Sequence, residues 1–194
     1  MPDLRPLVLL MCAAVLAACG GTSSPSAAPS TPTSSAPSSP TSSAAPTGPF
    51  ASTLYGYAVR SHAWSGTSAT ATWDGTGAPG DGDPTVDTLV GPEGQRAFVY
   101  GAPSRATLKK FVARSRAVGA KARPECAKPE ATRATAIDRE PAIVDEVHCG
   151  VFALAAFVVH HGRAYVFFTY DQPGNEAGMR AWFGDLLAKV DLKS

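Results

Sequence analysis

His161-Gly162 stands between two runs, Val151–His160 and Arg163–Tyr170, in which most side chains are apolar. The pair supplies the positive-φ backbone that a two-residue hairpin loop requires, so the runs predict antiparallel strands with Val159 opposite Ala164 and Phe157 opposite Val166. Side chains alternate between the two faces of a strand. Here both faces are apolar: Phe152, Leu154 and Val158 against Phe157 and Val159, then Tyr165 and Phe167 against Val166 and Phe168. Strands of this kind are covered above and below. The hairpin therefore belongs at the centre of a sheet with a layer on each side.

Two segments have the periodicity to supply those layers. Met179, Trp182, Phe183, Leu186, Leu187 and Val190 recur at helical spacing and make one broad apolar face. Asn175 after Pro173-Gly174 suits the N-cap, Glu176 suits the first turn, and Asp185 is placed to pair with Lys189 one turn on. A second helix is expected from Thr107 to about Gly119, with Leu108, Phe111, Val112 and Val118 inward and Gly119 as its stop. Shorter strands fit Thr53–Val59, Ala69–Trp73, Val86–Val90, Ala97–Gly101, Arg133–Ile137 and Ala142–His148. Strands this close in sequence favour antiparallel order. The fold class is α/β of the α+β kind, an antiparallel sheet flanked by helices.

The amino-terminal quarter has a different character. Arg5 is the one basic residue before Leu7–Ala18, a run of twelve residues without a polar side chain. That run is shorter than the roughly 20 residues that span a bilayer and suits the core of a signal peptide. It ends at Leu16-Ala17-Ala18-Cys19, followed by Gly20-Gly21. These residues resemble the lipobox of bacterial lipoproteins, although Asp3 weakens the positive charge ahead of the run. The resemblance implies a signal peptide over residues 1–18, cleavage before Cys19, and acylation of the Cys19 thiol. The chain would then sit on the outer face of the cell membrane, held by lipid. An ordinary signal peptide cut near the same alanines is the alternative.

Residues 20–49 contain only Gly, Ser, Thr, Ala and Pro. Such a composition buries too little apolar surface to offset its ordering entropy, so 19–49 reads as a lipid-anchored disordered stalk. A flexible coil of that length reaches about 30 Å, and a polyproline-like one roughly 90 Å. Residues 50–194 remain for a single α/β domain, read as a monomer.

Four cysteines occur. Cys12 leaves with the signal peptide and Cys19 takes lipid, leaving Cys126 and Cys149 as an even pair in a compartment where disulfides persist. A bridge between them would close a loop of about 24 residues and contribute about 3 kcal/mol in the chain-entropy account. Two free buried thiols are the alternative. The pair lacks a Cys-x-x-Cys spacing, which argues against metal.

Taken in order, the lipobox, the stalk, Tyr55-Gly56-Tyr57-Ala58-Val59, Trp64, Trp73, Asp83-Pro84-Thr85-Val86-Asp87, the first helix, the cysteine pair, the hairpin with His161-Gly162-Arg163-Ala164-Tyr165 and the last helix resemble small extracytoplasmic lipoproteins of the PsbP-like fold. The resemblance covers residues 50–194 in pattern. It implies an antiparallel sheet between helices and a binding or assembly role rather than catalysis.

The chemistry-bearing motifs agree with that reading. Gly75-Thr76-Gly77-Ala78-Pro79-Gly80 matches a dinucleotide fingerprint by letter, but Pro79, Asp81, Gly82 and Pro84 forbid the helix such a site must open. Asp74, Asp81, Asp83 and Asp87 suggest calcium, yet an EF-hand register places Val86 where glycine is required and Pro92 where a glutamate belongs. The histidines, His62, His148, His160 and His161, show no His-x-x-x-His spacing, and no Gly-x-Ser-x-Gly elbow occurs. No cofactor, metal or catalytic residue is assigned.

Charge is distributed unevenly. The net charge is +1, which implies no general attraction to nucleic acid. From Arg105 to Arg123, however, seven Lys or Arg residues occur with no Asp or Glu. Arg105, Lys109, Lys110, Arg114 and Arg116 are the expected contacts to an anionic surface. The plainer reading is a solvated helix face opposite Asp138, Glu140, Asp145 and Glu146. The sequence thus leads to an envelope lipoprotein that binds a protein or polymer, with a carrier of lipid or another apolar ligand as the second possibility.

Overall fold

The computed structural model describes residues 49–193. The expected signal peptide, Cys19 and all of the stalk but Pro49 lie outside the described residues. Among the described residues nine strands are present: β1 (Tyr57–Val59), β2 (Ser65–Thr67), β3 (Asp87–Val90), β4 (Arg96–Pro103), β5 (Ala131–Ile137), β6 (Glu140–His148), β7 (Phe152–His160), β8 (Arg163–Asp171) and β9 (Val190–Leu192). The helices are α1 (Leu108–Ala122) and α2 (Glu176–Ala188). Seven strands form one sheet in the order β2-β3-β4-β8-β7-β6-β5, antiparallel throughout, and β1 pairs with β9 in a small second sheet.

The central hairpin has the expected register, Val159 opposite Ala164 and Phe157 opposite Val166. Its turn places His161 at φ 43° and Gly162 at φ 76°. A second two-residue turn, Asp138-Arg139 at φ 48° and 70°, joins β5 to β6. Neither residue is glycine, so the composition did not signal it. Asp138 instead serves neighbouring structure there: its carboxylate receives Arg60 and the backbone N–H of Leu192.

The alternation of the strands separates the two layers. Phe157 projects to the face covered by α1, meeting Phe111 edge to face at 6.1 Å. Phe152 projects to the other face, where the guanidinium of Arg180 in α2 lies over its ring. Met179, Phe183, Leu186 and Leu187 of α2 are buried there. Beside them Tyr57 packs edge to face against Tyr165 and Phe167.

Several expectations need correction. The helix α1 continues through Gly119 to Ala122, because Arg123 still donates its N–H to the Gly119 carbonyl. Val190 is not helical. It opens β9, whose pairing with β1 outweighs one more turn of α2. Asn175 occupies the N-cap position without making a side-chain cap; the Glu176 carboxylate accepts from Gly174 N–H instead. Asp185 and Lys189 do pair. Thr53–Val59 contributes a strand only from Tyr57, since the chain turns at Gly56 with φ 70°.

The expected strand Ala69–Trp73 is a loop. Thr70 and Ala71 both donate to the Pro84 carbonyl, and Ala69 donates to Asp87, so the segment wraps over the end of β3. The edge strand beside β3 is Ser65-Gly66-Thr67, which has no apolar alternation to reveal it. Gly66 is needed there because a Cβ would sit 2.7 Å from the Thr88 carbonyl and 2.8 Å from the Phe50 ring.

Candidate functional site

A concave, mostly apolar region lies on the α1 face of the large sheet. Its shape follows from side-chain size along α1. The first half of the helix turns Phe111 and Val112, both buried, toward the sheet. The second half brings Ser115, Gly119 and Ala120 to the same region, over Ala153 and Ala155 of β7. Small residues on both surfaces leave a trough of about 240 Å³, floored by Phe157 and Phe168. Beyond the helix a 3-10 turn, Pro124–Cys126, carries Cys126 to Cys149. The two form the expected disulfide, with Cα atoms 5.3 Å apart, and it ties the end of α1 to the end of β6.

The opposite wall is the glycine-rich loop 73–85. Tyr55 pins it at both ends: Trp73 donates its N–H to the Tyr55 hydroxyl, which donates to the Thr85 carbonyl. The Trp73 indole packs against Tyr100 at 4.6 Å and donates to the Thr76 carbonyl. Arg114 reaches across from α1 to the Gly75 carbonyl at 3.1 Å. Gly75, Gly77 and Ala78 face Arg114, Val118 and Lys121 across a mouth of about 480 Å³, which meets the trough at Ala78 and through a narrow cleft of about 50 Å³ lined by Tyr100 and Ser115.

The basic residues of α1 divide into two groups. Arg116 turns to the sheet, where its guanidinium grips Asp145 at 2.7 and 2.8 Å and also donates to Thr132. Asp145 is buried, and its contact holds the Arg116 guanidinium above its usual pKa. Arg116 is thus a strut between helix and sheet. Arg105, Lys109, Lys110, Arg114, Lys121 and Arg123 are exposed, and no carboxylate among the described residues lies within 4.0 Å of them.

The acidic residues considered for calcium have separate tasks. Asp74 accepts from Thr76 and Asp83 from Thr85, bonds that lower both carboxyl pKa values. Asp81 makes a two-pronged ion pair with Arg96. Asp87 is wholly buried, accepts the Ala69 N–H at 2.6 Å, and has a raised pKa because burial disfavours its charge. Among the described residues no three His, Cys, Asp or Glu side chains converge as metal ligands. His160 meets Glu140, His148 meets Glu130, and His62 is exposed. The rings of His160 and His161 lie 4.1 Å apart rather than pointing away from each other, since His161 has left strand geometry at the turn. Burial pushes the Tyr100 hydroxyl pKa up.

No protein-family profile matches this chain, and neither does any curated protein. Among solved structures, the solution structure of cyanobacterial PsbP (CyanoP) from Synechocystis sp. PCC 6803 superposes with a TM-score of 0.51 at 12% identity. The match covers 74% of this chain and 91% of that one. The fold is PsbP-like. A crystal structure from Bacteroides thetaiotaomicron VPI-5482 gives a TM-score of 0.45 at 10% identity, over 76% of this chain and 49% of that one, and adds nothing to the argument. At such identities a PsbP-like fold fixes topology alone, and the site has to be argued from its own residues.

The sequence pointed to the cations of α1 but not to the trough. Ser115, Gly119, Ala153 and Ala155 are small residues in otherwise regular elements, and their common effect appears only when helix and sheet face each other. No helix among the described residues is long and apolar enough to cross a membrane.

Proposed function

We propose that this chain is a non-enzymatic binding factor of the cell envelope, tethered through a lipidated Cys19, whose α1 docks the domain on an anionic surface. The supporting observation is the set of six exposed cations on and beside α1 that have no carboxylate partner among the described residues. A paired cation is already neutralised, as Arg116 is, and attracts little; an unpaired one next to anionic lipid contributes about 1 kcal/mol. The stalk would keep the domain within roughly 30–90 Å of its membrane, so weak attraction acts at high effective concentration. The PsbP-like fold and the structural employment of the buried acids are consistent with binding rather than catalysis.

The test is co-sedimentation of the purified chain, carrying Cys19→Ala so that no acyl group biases it, with anionic and with neutral vesicles. Binding should favour anionic vesicles and weaken as salt rises through about 0.15 M, where the screening length is ~8 Å. Arg105→Glu/Lys109→Glu/Lys110→Glu should abolish the preference. These three positions are chosen because, unlike Arg114 and Arg116, they make no hydrogen bond that positions a loop or strand. Equal binding to both vesicle types would refute the docking role.

A second reading, a carrier of an apolar ligand, is favoured by one observation, the trough between α1 and the sheet.

A further inference from the structure

The trough connects, at Ala78 and through the cleft lined by Tyr100 and Ser115, to the mouth that carries Arg114 and Lys121, and the combination selects a ligand class. The floor and sides are apolar or small: Ala153, Ala155, Phe157, Phe168, Gly119 and Ala120. The one carboxylate in the lining, Asp145, is neutralised by Arg116 at 2.7 Å. At the mouth the charged side chains are Arg114 and Lys121; neither has a carboxylate within 4.0 Å among the described residues, and Asp74 is near enough to Arg114 only to feel its charge. An apolar slot that leads past Ala78 to a groove carrying two cations matches a molecule with an apolar body and an anionic end. A neutral hydrocarbon would leave the mouth uncompensated, and a small free anion would leave the slot unfilled.

We propose that the trough between α1 and loop 73–85 holds one acyl chain of an anionic membrane lipid, its headgroup against Arg114 and Lys121. This deepens the carrier reading and rests on it. The geometry also supplies an entry route. Arg114 closes the mouth by donating to the Gly75 carbonyl, and the loop backbone there turns through Gly75 and Gly77 at φ 82° and 73°. A headgroup that draws Arg114 to itself releases that bond and lets the loop swing outward. The disulfide fixes the carboxyl-terminal end of α1, which carries Lys121, so the loop is the side of the mouth that moves.

Two substitutions plug the trough while sparing the fold. A Cβ added at Gly119 meets nothing within 4 Å, and leucine is the better helix former, so Gly119→Leu fills space rather than displacing structure. Ala155→Leu fills it from the sheet side, at a position only half-buried. The probes are lysophosphatidylglycerols of increasing chain length, below their micelle concentrations, with lysophosphatidylcholines as neutral-headgroup controls. Binding to the Cys19→Ala chain is read by titration calorimetry and by native mass spectrometry, and folding by thermal melting.

The expected result is a one-to-one complex that tightens about tenfold for each two added methylenes until the trough is full. Gly119→Leu and Ala155→Leu should each weaken it at least tenfold with unchanged melting. Arg114→Ala/Lys121→Ala should abolish the preference for the anionic headgroup while chain-length dependence persists. The plugged variants should still co-sediment with anionic vesicles, because Arg105, Lys109 and Lys110 are intact; failure of the trough and failure of surface docking are thereby separate results. Absence of a one-to-one complex, affinity independent of chain length, or full affinity in both plugged variants overturns the proposal.

Discussion

Asp145 and Glu146 are consecutive residues of β6, and each fastens a different layer to the sheet. Asp145 faces α1 and is gripped by Arg116. Glu146 faces α2, where Arg180 approaches it at 2.8 Å and Arg133 of the neighbouring strand at 3.2 Å. Strand alternation sends adjacent side chains to opposite faces, so two neighbouring carboxylates become two independent clamps. Both side chains are nearly inaccessible to water, at 5% and 9% exposure, and removal of either would strand a partner.

Asp145→Asn should cost about 1–2 kcal/mol, less than a fully buried pair because the arginine is partly solvated. It should loosen α1 and leave α2 unaffected in hydrogen exchange, and Glu146→Gln should do the reverse. Because the sheet separates the two clamps, the double variant should be additive within about 0.5 kcal/mol. A larger coupling energy in urea unfolding would contradict independence.

The Cys126–Cys149 bridge should appear as a mass two hydrogens below that of the reduced chain. Replacing both cysteines by serine should cost about 3 kcal/mol. Protection of α1 residues 115–122 should fall most, since the bridge holds that end of the helix to β6. Ready labelling of both thiols without reductant would exclude the bridge.

Asp87 gives stability a pH dependence of predictable sign. Burial raises its carboxyl pKa above the ordinary 3.8, with the Ser52 hydroxyl, the Ala69 N–H and the Tyr57 hydroxyl pulling the other way. A raised folded-state pKa means that ionisation opposes folding. Its contribution is therefore most favourable below 3.8, is lost as pH rises to the folded-state value, and is constant above it. Asp87→Asn keeps an acceptor for Ala69 and cannot ionise. Its stability relative to wild type should grow with pH across that window and then level off; a difference independent of pH would show that Asp87 does not titrate there.

Gly66→Ala tests the edge strand. The new methyl would meet both the Thr88 carbonyl and the Phe50 ring below 3.0 Å, so β2 or Phe50 must shift, at about 1–3 kcal/mol. Pairing the change with Phe50→Leu should recover part of the loss, because the ring is one of the two obstacles. If the single variant unfolds at the wild-type urea concentration, the close packing of Gly66 is wrong.

Membrane attachment through Cys19 is tested by fractionation. Cys19→Ala should move the chain from the membrane fraction to unprocessed or soluble material. Normal processing with unchanged retention would count against the lipobox.

The central hairpin was legible because local rules decide it: a two-residue positive-φ turn sets the register, and apolar residues on both faces require cover on both sides. The helices were legible from their period, apart from their ends. Gly119 stayed helical because a single glycine costs only about 1 kcal/mol, which tertiary packing outweighs. Val190 left the helix because β1 offered it a partner. The basic bias of α1 was written in its composition, yet composition could not separate Arg116, which clamps Asp145, from Arg114, which closes the cleft. That division depends on which way each side chain points around the helix and on what the sheet presents there. The trough is likewise a property of two surfaces, small residues on α1 meeting small residues on β7. Local sequence determined the elements and the central register; long-range contact between elements decided where they end, which charges remain free, and where the space lies.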